Sequence, residues 1–196
     1  MTIVKRTMVS VSAVIIFLAA SALMAQAIKP LPGKNVALGR KATFSWAPNY
    51  ADTRDGDETD LTDGKFWQAG GAHIFWGDKG TVGWSLGRKG GVLITFDLRT
   101  VCAIDTIGFD TTSGAAQVTF PAAVMVYVSD DGTTWRYATD VINEAIPQDK
   151  FIRHRFVAED LKTRGQYVGV YVVKGGFYAF VDEIEHHVLN LDRARW

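Results

Sequence analysis

An all-β domain is the fold class this sequence predicts, on three observations. Apolar residues recur with period two through most of the chain after residue 90. Glycine- and aspartate-rich clusters separate those runs, as turns require. No stretch beyond residue 27 sustains the apolar period of a helix.

In chain order, residues 1–27 come first and read as an export signal. Lys5 and Arg6 precede an apolar run, Val9 to Met24, that ends at the small-residue triplet Ala25, Gln26, Ala27. That run is shorter than the ~20 residues a bilayer-spanning helix needs. No cysteine follows it that could carry a lipid. Cleavage before Ile28 is therefore expected rather than a retained anchor, with a secreted, periplasmic or extracellular product.

The whole chain carries 21 basic and 21 acidic side chains, and losing Lys5 and Arg6 leaves the acidic side in slight excess. Nucleic-acid binding is not expected, since a basic face would be needed to displace counterions from phosphates. Cys102 is the single cysteine and sits inside the apolar stretch TVCAIDTI, so no internal disulfide can form. It reads as a small buried hydrophobe.

Residues 28–34 form an N-terminal extension, and one domain spans 35–189. From Ala47 to Gly91 glycine, aspartate and tryptophan are frequent and alternation is absent, which predicts long loops of the kind that carry function. In VLITFDL, Val92, Ile94, Phe96 and Leu98 share one strand face; Val124, Val126 and Val128 do so in AAVMVYVS. SDDGTTW, Ser129 to Trp135, predicts a hairpin. FIRHRFVAED puts Phe151 and Arg153 on one face and Ile152, His154 and Phe156 on the other. GQYVGVYVV, apolar on both faces, predicts a central strand. Residues 190–196 read as a tail.

The acidic stretch RDGDETDLTDGKFW, Arg54 to Trp67, is open to two readings. Calcium takes six to eight hard oxygens, which a glycine-punctuated acidic loop can supply. A solvated turn uses the same residues. The EF-hand pattern fails: started at Asp52 it meets Arg54 where the third-position ligand belongs, and started at Asp55 it meets Asp60 where the glycine belongs.

An enzyme is not expected. The chain has no Gly-x-Ser-x-Gly elbow, no His-Glu-x-x-His helix and no phosphate loop. His73, His154, His186 and His187 lack ligand-like spacing, and the last two point to opposite faces of a strand. Asp55, Asp57, Glu58, Asp60 and Asp63 are too crowded to mark a single proton donor.

In order, NVALGRKATFS, LTDGKFW, VLITFDLRTVCAIDTIGF, AAVMVYVSDDGTTWRY, GQYVGVYVV and FVDEIEHHVL resemble the discoidin domain, also called the coagulation-factor type C domain, whose fold family 32 carbohydrate-binding modules share. The resemblance covers about Asn35 to Leu189. It implies a galactose-binding-like jelly-roll β-sandwich of two antiparallel sheets, with ligand-binding loops at one end. It also implies a structural calcium ion, with Asp63 of LTDG and Glu183 of DEIE as ligands. Lys65 stands where many relatives have a second aspartate or asparagine, and Trp67 arrives early; Asp57 or Asp60 would then complete the site.

The resemblance matches WAPNY and GGAHIFWGDKGTVGW to the first two ligand loops and TTSGAAQVTFP to the third. Aromatic platforms with a few polar groups suit the mixed faces of sugars. Trp46, Tyr50, Phe75 and Trp76 are the expected platforms, Asn49, Arg54 and His73 the polar partners, and Phe177 and Tyr178 close the site. Trp67, Trp84 and Trp135 are expected to pack. The expected function is non-catalytic glycan binding, the alternative a cell-surface protein- or membrane-interaction domain using the same loops. Such a membrane site would want an apolar spike ringed by basic residues.

Overall fold

The structure, a computed structural model, describes residues 28–53, 56–68, 74–85, 90–148 and 150–189. The expected export signal and the tail lie outside the described residues, as do Arg54 and His73. Among the described residues, ten strands run in chain order: β1 (Lys34–Asn35), β2 (Ala42–Phe44), β3 (Val82–Trp84), β4 (Val92–Ile104), β5 (Thr106–Ser113), β6 (Ala123–Ser129), β7 (Arg136–Asp140), β8 (Ile152–Ala158), β9 (Thr163–Val173) and β10 (Ala179–Val188). Two single-turn 3-10 segments, Asp60–Thr62 and Phe75–Gly77, interrupt the long loop region.

The strands form two antiparallel sheets. One has the order β1-β10-β5-β8, with β3 also paired to β10; the other has the order β2-β4-β9-β6-β7. Alternation sets which side chains go inside. Val92, Ile94, Phe96 and Leu98 of β4, Val124, Val126 and Val128 of β6, and Val168, Val170 and Val172 of β9 meet Ile107 and Phe109 of β5, Phe156 of β8 and Ile184 of β10 in one core. Each such side chain contributes roughly 1.5–3 kcal/mol by leaving water. Cys102 is buried beside them, as expected for a small hydrophobe.

β9 is the central strand of its sheet, flanked by β4 and β6. The hairpin between β6 and β7 is held by Asp131, whose Oδ1 accepts the amides of Thr133 (2.8 Å) and Thr134 (2.7 Å), with Gly132 at φ +74. Trp135 lies against Gly169, where a Cβ would sit 3.1 Å from its ring. β3 has only three residues, too few for a period-two pattern to show in the sequence.

The N-terminal extension packs on the outer face of the first sheet. Arg155 Nη1 donates to the Lys29 carbonyl at 2.8 Å, and a Cβ on Gly108 would meet Leu31 at 2.9 Å.

Candidate functional site

The loops between β2 and β3, before β6, and before β10 meet at one end of the sandwich. Asn49 and Tyr50 both donate their amides to the Gly83 carbonyl at 3.1 Å, which ties the first loop to β3. Asn49 Oδ1 accepts the Ser85 amide at 2.8 Å. Gly83 has to be glycine: a Cβ there would press into the Phe180 ring and the Thr53 hydroxyl. Val118 and Tyr178 form a parallel bridge that joins the third loop to the last. Gly175 and Gly176 allow that approach, since side chains there would strike the Phe120 carbonyl and Thr119.

These loops carry an aromatic cluster of their own, separate from the main core. Phe180 is its hub, 1% exposed. Tyr50 meets it edge-on at 4.8 Å, Tyr178 stacks at 6.0 Å and Trp76 lies tilted at 6.2 Å. Tyr50 and Tyr178 also touch edge-on at 5.7 Å. Below, Trp67 contacts Phe75 at 5.7 Å and Phe151 at 5.8 Å, and Phe151 contacts Trp76 at 5.9 Å. Tyr50, Trp76 and Tyr178 remain half-buried, forming a collar around a buried ring, with Phe177 and Ile74 each 48% exposed. Burial, with Asp52 and Tyr178 adding, raises the pKa of the Tyr50 hydroxyl and keeps it a donor.

The structure thus brings Tyr50, Trp76 and Tyr178 together. It places Trp46 elsewhere, packed edge-on against buried Trp84 at 6.4 Å, with its Nε1 donating to the Gly91 carbonyl and the Lys174 ammonium 5.5 Å above its ring. Phe75 requires a correction. It is 0% exposed, so it supports the collar from beneath and cannot be a ligand platform. Trp67 and Trp84 are buried, as expected. Trp76→Ala should therefore leave the thermal midpoint nearly unchanged, whereas Phe75→Ala should destabilise by about 3–5 kcal/mol. Thermal melts of the two variants check this.

The acidic stretch lies beside the outer face of the first sheet. Asp57 accepts the Thr59 amide and hydroxyl, both at 2.8 Å, which lowers its pKa. Asp60 accepts the Asp57 amide at 2.7 Å, and burial raises its pKa. These two carboxylates close their own turn. Asp63 pairs with Lys65 at 2.7 Å, so the residue that departs from the family pattern bonds to the aspartate that matches it. Glu183 reaches across from β10 and accepts the Gly64 amide on Oε1 at 3.1 Å. Its Oε2 is buried and has no hydrogen-bond partner among the described residues. Burial pushes Glu183 up to about 9, with Asp63 and Asp182 adding to the shift.

An irregularity between Val181 and Ile184 explains why Asp182 and Glu183 both face this turn. Val181 and Ile184 both belong to the core, so the two residues between them form a bulge aimed outward. Asp182 Oδ2 accepts the Trp67 amide at 2.7 Å and a guanidinium bond from Arg153 Nη2 at 3.2 Å. Arg153 also forks onto Asp110, Nε to Oδ1 at 2.8 Å and Nη2 to Oδ2 at 3.0 Å, and donates from Nη1 to the Trp67 carbonyl at 2.6 Å. Arg155 pairs with Glu185, and His187 Nε2 lies 3.1 Å from the same carboxylate. Burial pushes Asp110 up to about 6 against the pull of Arg153, and burial beside Asp110 pushes Asp182 up to about 8. Arg153, Asp110 and Asp182 were not singled out from the sequence. The available signal was charge at alternate positions of FIRHRF, otherwise a strand bound for burial.

No family model and no curated protein matches the chain. Solved structures do. Module CpGH89CBM32-5 from Clostridium perfringens, in complex with GalNAc-β-1,3-galactose, superposes with a TM-score of 0.56 at 16% identity, covering 79% of this chain and 100% of that one. A variant of chitosan-binding module 1 from a chitosanase/glucanase of Paenibacillus sp. IK-5 gives 0.55 at 16% identity, covering 80% and 99%. A fucolectin from striped bass (Morone saxatilis) serum gives 0.55 at 20% identity, covering 80% of this chain and 49% of that one. The chain therefore shares with these structures the fold that the sequence order implied, a β-sandwich of two antiparallel sheets.

Proposed function

We propose that this protein is an exported, non-catalytic glycan-binding domain that holds sugar on the collar of Tyr50, Trp76 and Tyr178. The collar itself carries the reading: three half-buried aromatic rings around buried Phe180, at the loop end of a fold shared with carbohydrate-binding modules. Such rings offer flat apolar area to sugar C–H faces, while the two tyrosine hydroxyls offer hydrogen bonds. Affinity is expected to be weak, because an open site buries only part of a sugar. A glycan array that includes GalNAc-β-1,3-galactose and chitosan oligosaccharides tests it. Binding should be lost in Trp76→Ala and Tyr50→Ala; binding that survives both substitutions places the site elsewhere.

A structural calcium ion belongs to the same proposal. Among the described residues, no three His, Cys, Asp or Glu side chains converge as a metal site. Backbone oxygens of the turn would have to complete a set begun by Glu183 and Asp63. Two observations support that fit. Glu183 Oε2 is buried without a hydrogen-bond partner among the described residues. Among the described residues, four buried carboxylates, of Asp110, Asp182, Glu183 and Glu185, lie near two guanidiniums: Arg153 pairs with Asp110 and Asp182, and Arg155 with Glu185. Protons or a divalent cation would balance the excess. Calcium would pin the Asp63 turn to β10, adding ~2.7 kcal/mol at 100 times its Kd. Thermal melts with calcium and with EDTA should differ for the wild type and coincide for Glu183→Gln. Coincident wild-type melts would return the loop to a solvated turn.

Exposed Ile74 and Phe177 at the rim favour a second reading, a lipid- or protein-contacting surface. Binding to anionic vesicles with no glycan bound would select the membrane form of that reading.

A further inference from the structure

We propose that Arg153 is the positioning residue of the loop-end site: its fork between Asp110 and Asp182 clamps Trp67 and so sets the seat of Trp76. The inference rests on Tyr50, Trp76 and Tyr178 being the glycan platform. Trp67 is held at both ends of its residue, its amide by Asp182 and its carbonyl by Arg153. Its ring touches Phe75 and Phe151, and Phe151 supports Trp76. Phe151 also stands two residues before Arg153, next to the strand that carries the guanidinium. Phe66 lies under both Arg153 and Arg155, 5.4 Å from each guanidinium, and shields the fork from water.

The sandwich does not need this fork. β5 pairs with β8 and with β10 through backbone bonds, and the main core lies on the opposite face of the sheet. Buried ion pairs are often no more stabilising than apolar replacements. What a planar guanidinium supplies is a fixed distance and orientation between three partners, which a lysine ammonium cannot reproduce. Asp182 further links the clamp to the neighbouring turn, since Glu183, the next residue, holds the Gly64 amide.

The test compares wild type, Arg153→Lys and Val126→Ala, the last a core truncation in the other sheet that lowers stability without touching the clamp. Binding to GalNAc-β-1,3-galactose and to chitosan oligosaccharide is titrated well below every melting midpoint. Arg153→Lys should weaken binding by roughly tenfold, as changes along packed networks can; Val126→Ala should not. Fluorine NMR of protein labelled with 5-fluorotryptophan gives a second readout, with the Trp76 signal assigned by its loss in Trp76→Phe. Arg153→Lys should move the Trp67 and Trp76 signals and leave Trp135 in place. An unmoved Trp76 signal, or an equal loss of binding in Val126→Ala, would overturn the proposal. If the wild type binds neither sugar, the platform reading loses its support, and the fluorine spectra still decide whether Arg153 seats Trp76.

Discussion

Phe180→Ala is expected to lower stability by about 3–5 kcal/mol and to abolish glycan capture in the same step. Phe180 is buried, and the rings of Tyr50, Trp76 and Tyr178 all rest on it. Its carbonyl accepts the Thr111 hydroxyl at 2.6 Å, so the backbone is pinned and cannot move in to fill the cavity. Gly83 opposite has no side chain to fill it, so any collapse must come from the collar rings themselves. The collar would then lose its floor, and its rings would sample orientations that no longer present one surface. At roughly 2–4 °C per kcal/mol for a domain of this size, the midpoint falls by roughly 6–20 °C. Thermal melts and the glycan array measure both effects. Trp76→Ala should show only the second. A Phe180→Ala protein that melts like the wild type would remove Phe180 as the support of the site.

Much of the sandwich was legible because its signal is local. Period-two alternation in 92–98 and 124–128 puts side chains inward by geometry alone, and the Asp131-Gly132 turn carries its own hydrogen-bond acceptor. β1, β2 and β3 are two or three residues long, and their pairing with β10 and β4 comes from the sheet, not from local pattern. The site was legible in composition and less so in assignment. Aromatics in the loops pointed to the end where Tyr50, Trp76 and Tyr178 gather, yet the sequence could not separate Phe75, which is beneath that collar, from Trp76, which is part of it. Adjacent residues in a single 3-10 turn differ only in which way they point. Trp46 was grouped with Tyr50 because WAPNY resembles the first ligand loop of the family, but Lys174 and Trp84 hold it against the main core. The Arg153 fork joins residues 110, 153 and 182 through a bulge in β10, and an added residue in a ladder leaves no periodic trace to read.

Acid should weaken the fold through His186. It is fully buried against Phe96, ring centroids 5.2 Å apart, and neither ring nitrogen has a hydrogen-bond partner among the described residues. Burial, with neighbouring His187 adding, pushes its pKa from 6.5 down to about 3. The folded state therefore keeps His186 neutral where the unfolded chain takes up a proton. Stability from this group is complete above pH 6.5 and falls as pH drops towards 3, by about 1.4 kcal/mol per pH unit once the unfolded histidine is fully charged. Asp110, Asp182 and Glu183 act in the opposite sense, since their raised values let the folded state hold protons that the unfolded chain releases. The wild-type profile is the sum, so the contribution of His186 is read from a difference. His186→Leu removes the titration and two unpaired polar atoms from an apolar site, and should be at least as stable as wild type at pH 7. Urea melts at pH 4, 5, 6 and 7 should show its advantage over wild type growing with each step into acid. A constant difference across that range would mean that the imidazole takes up its proton equally well in the folded protein.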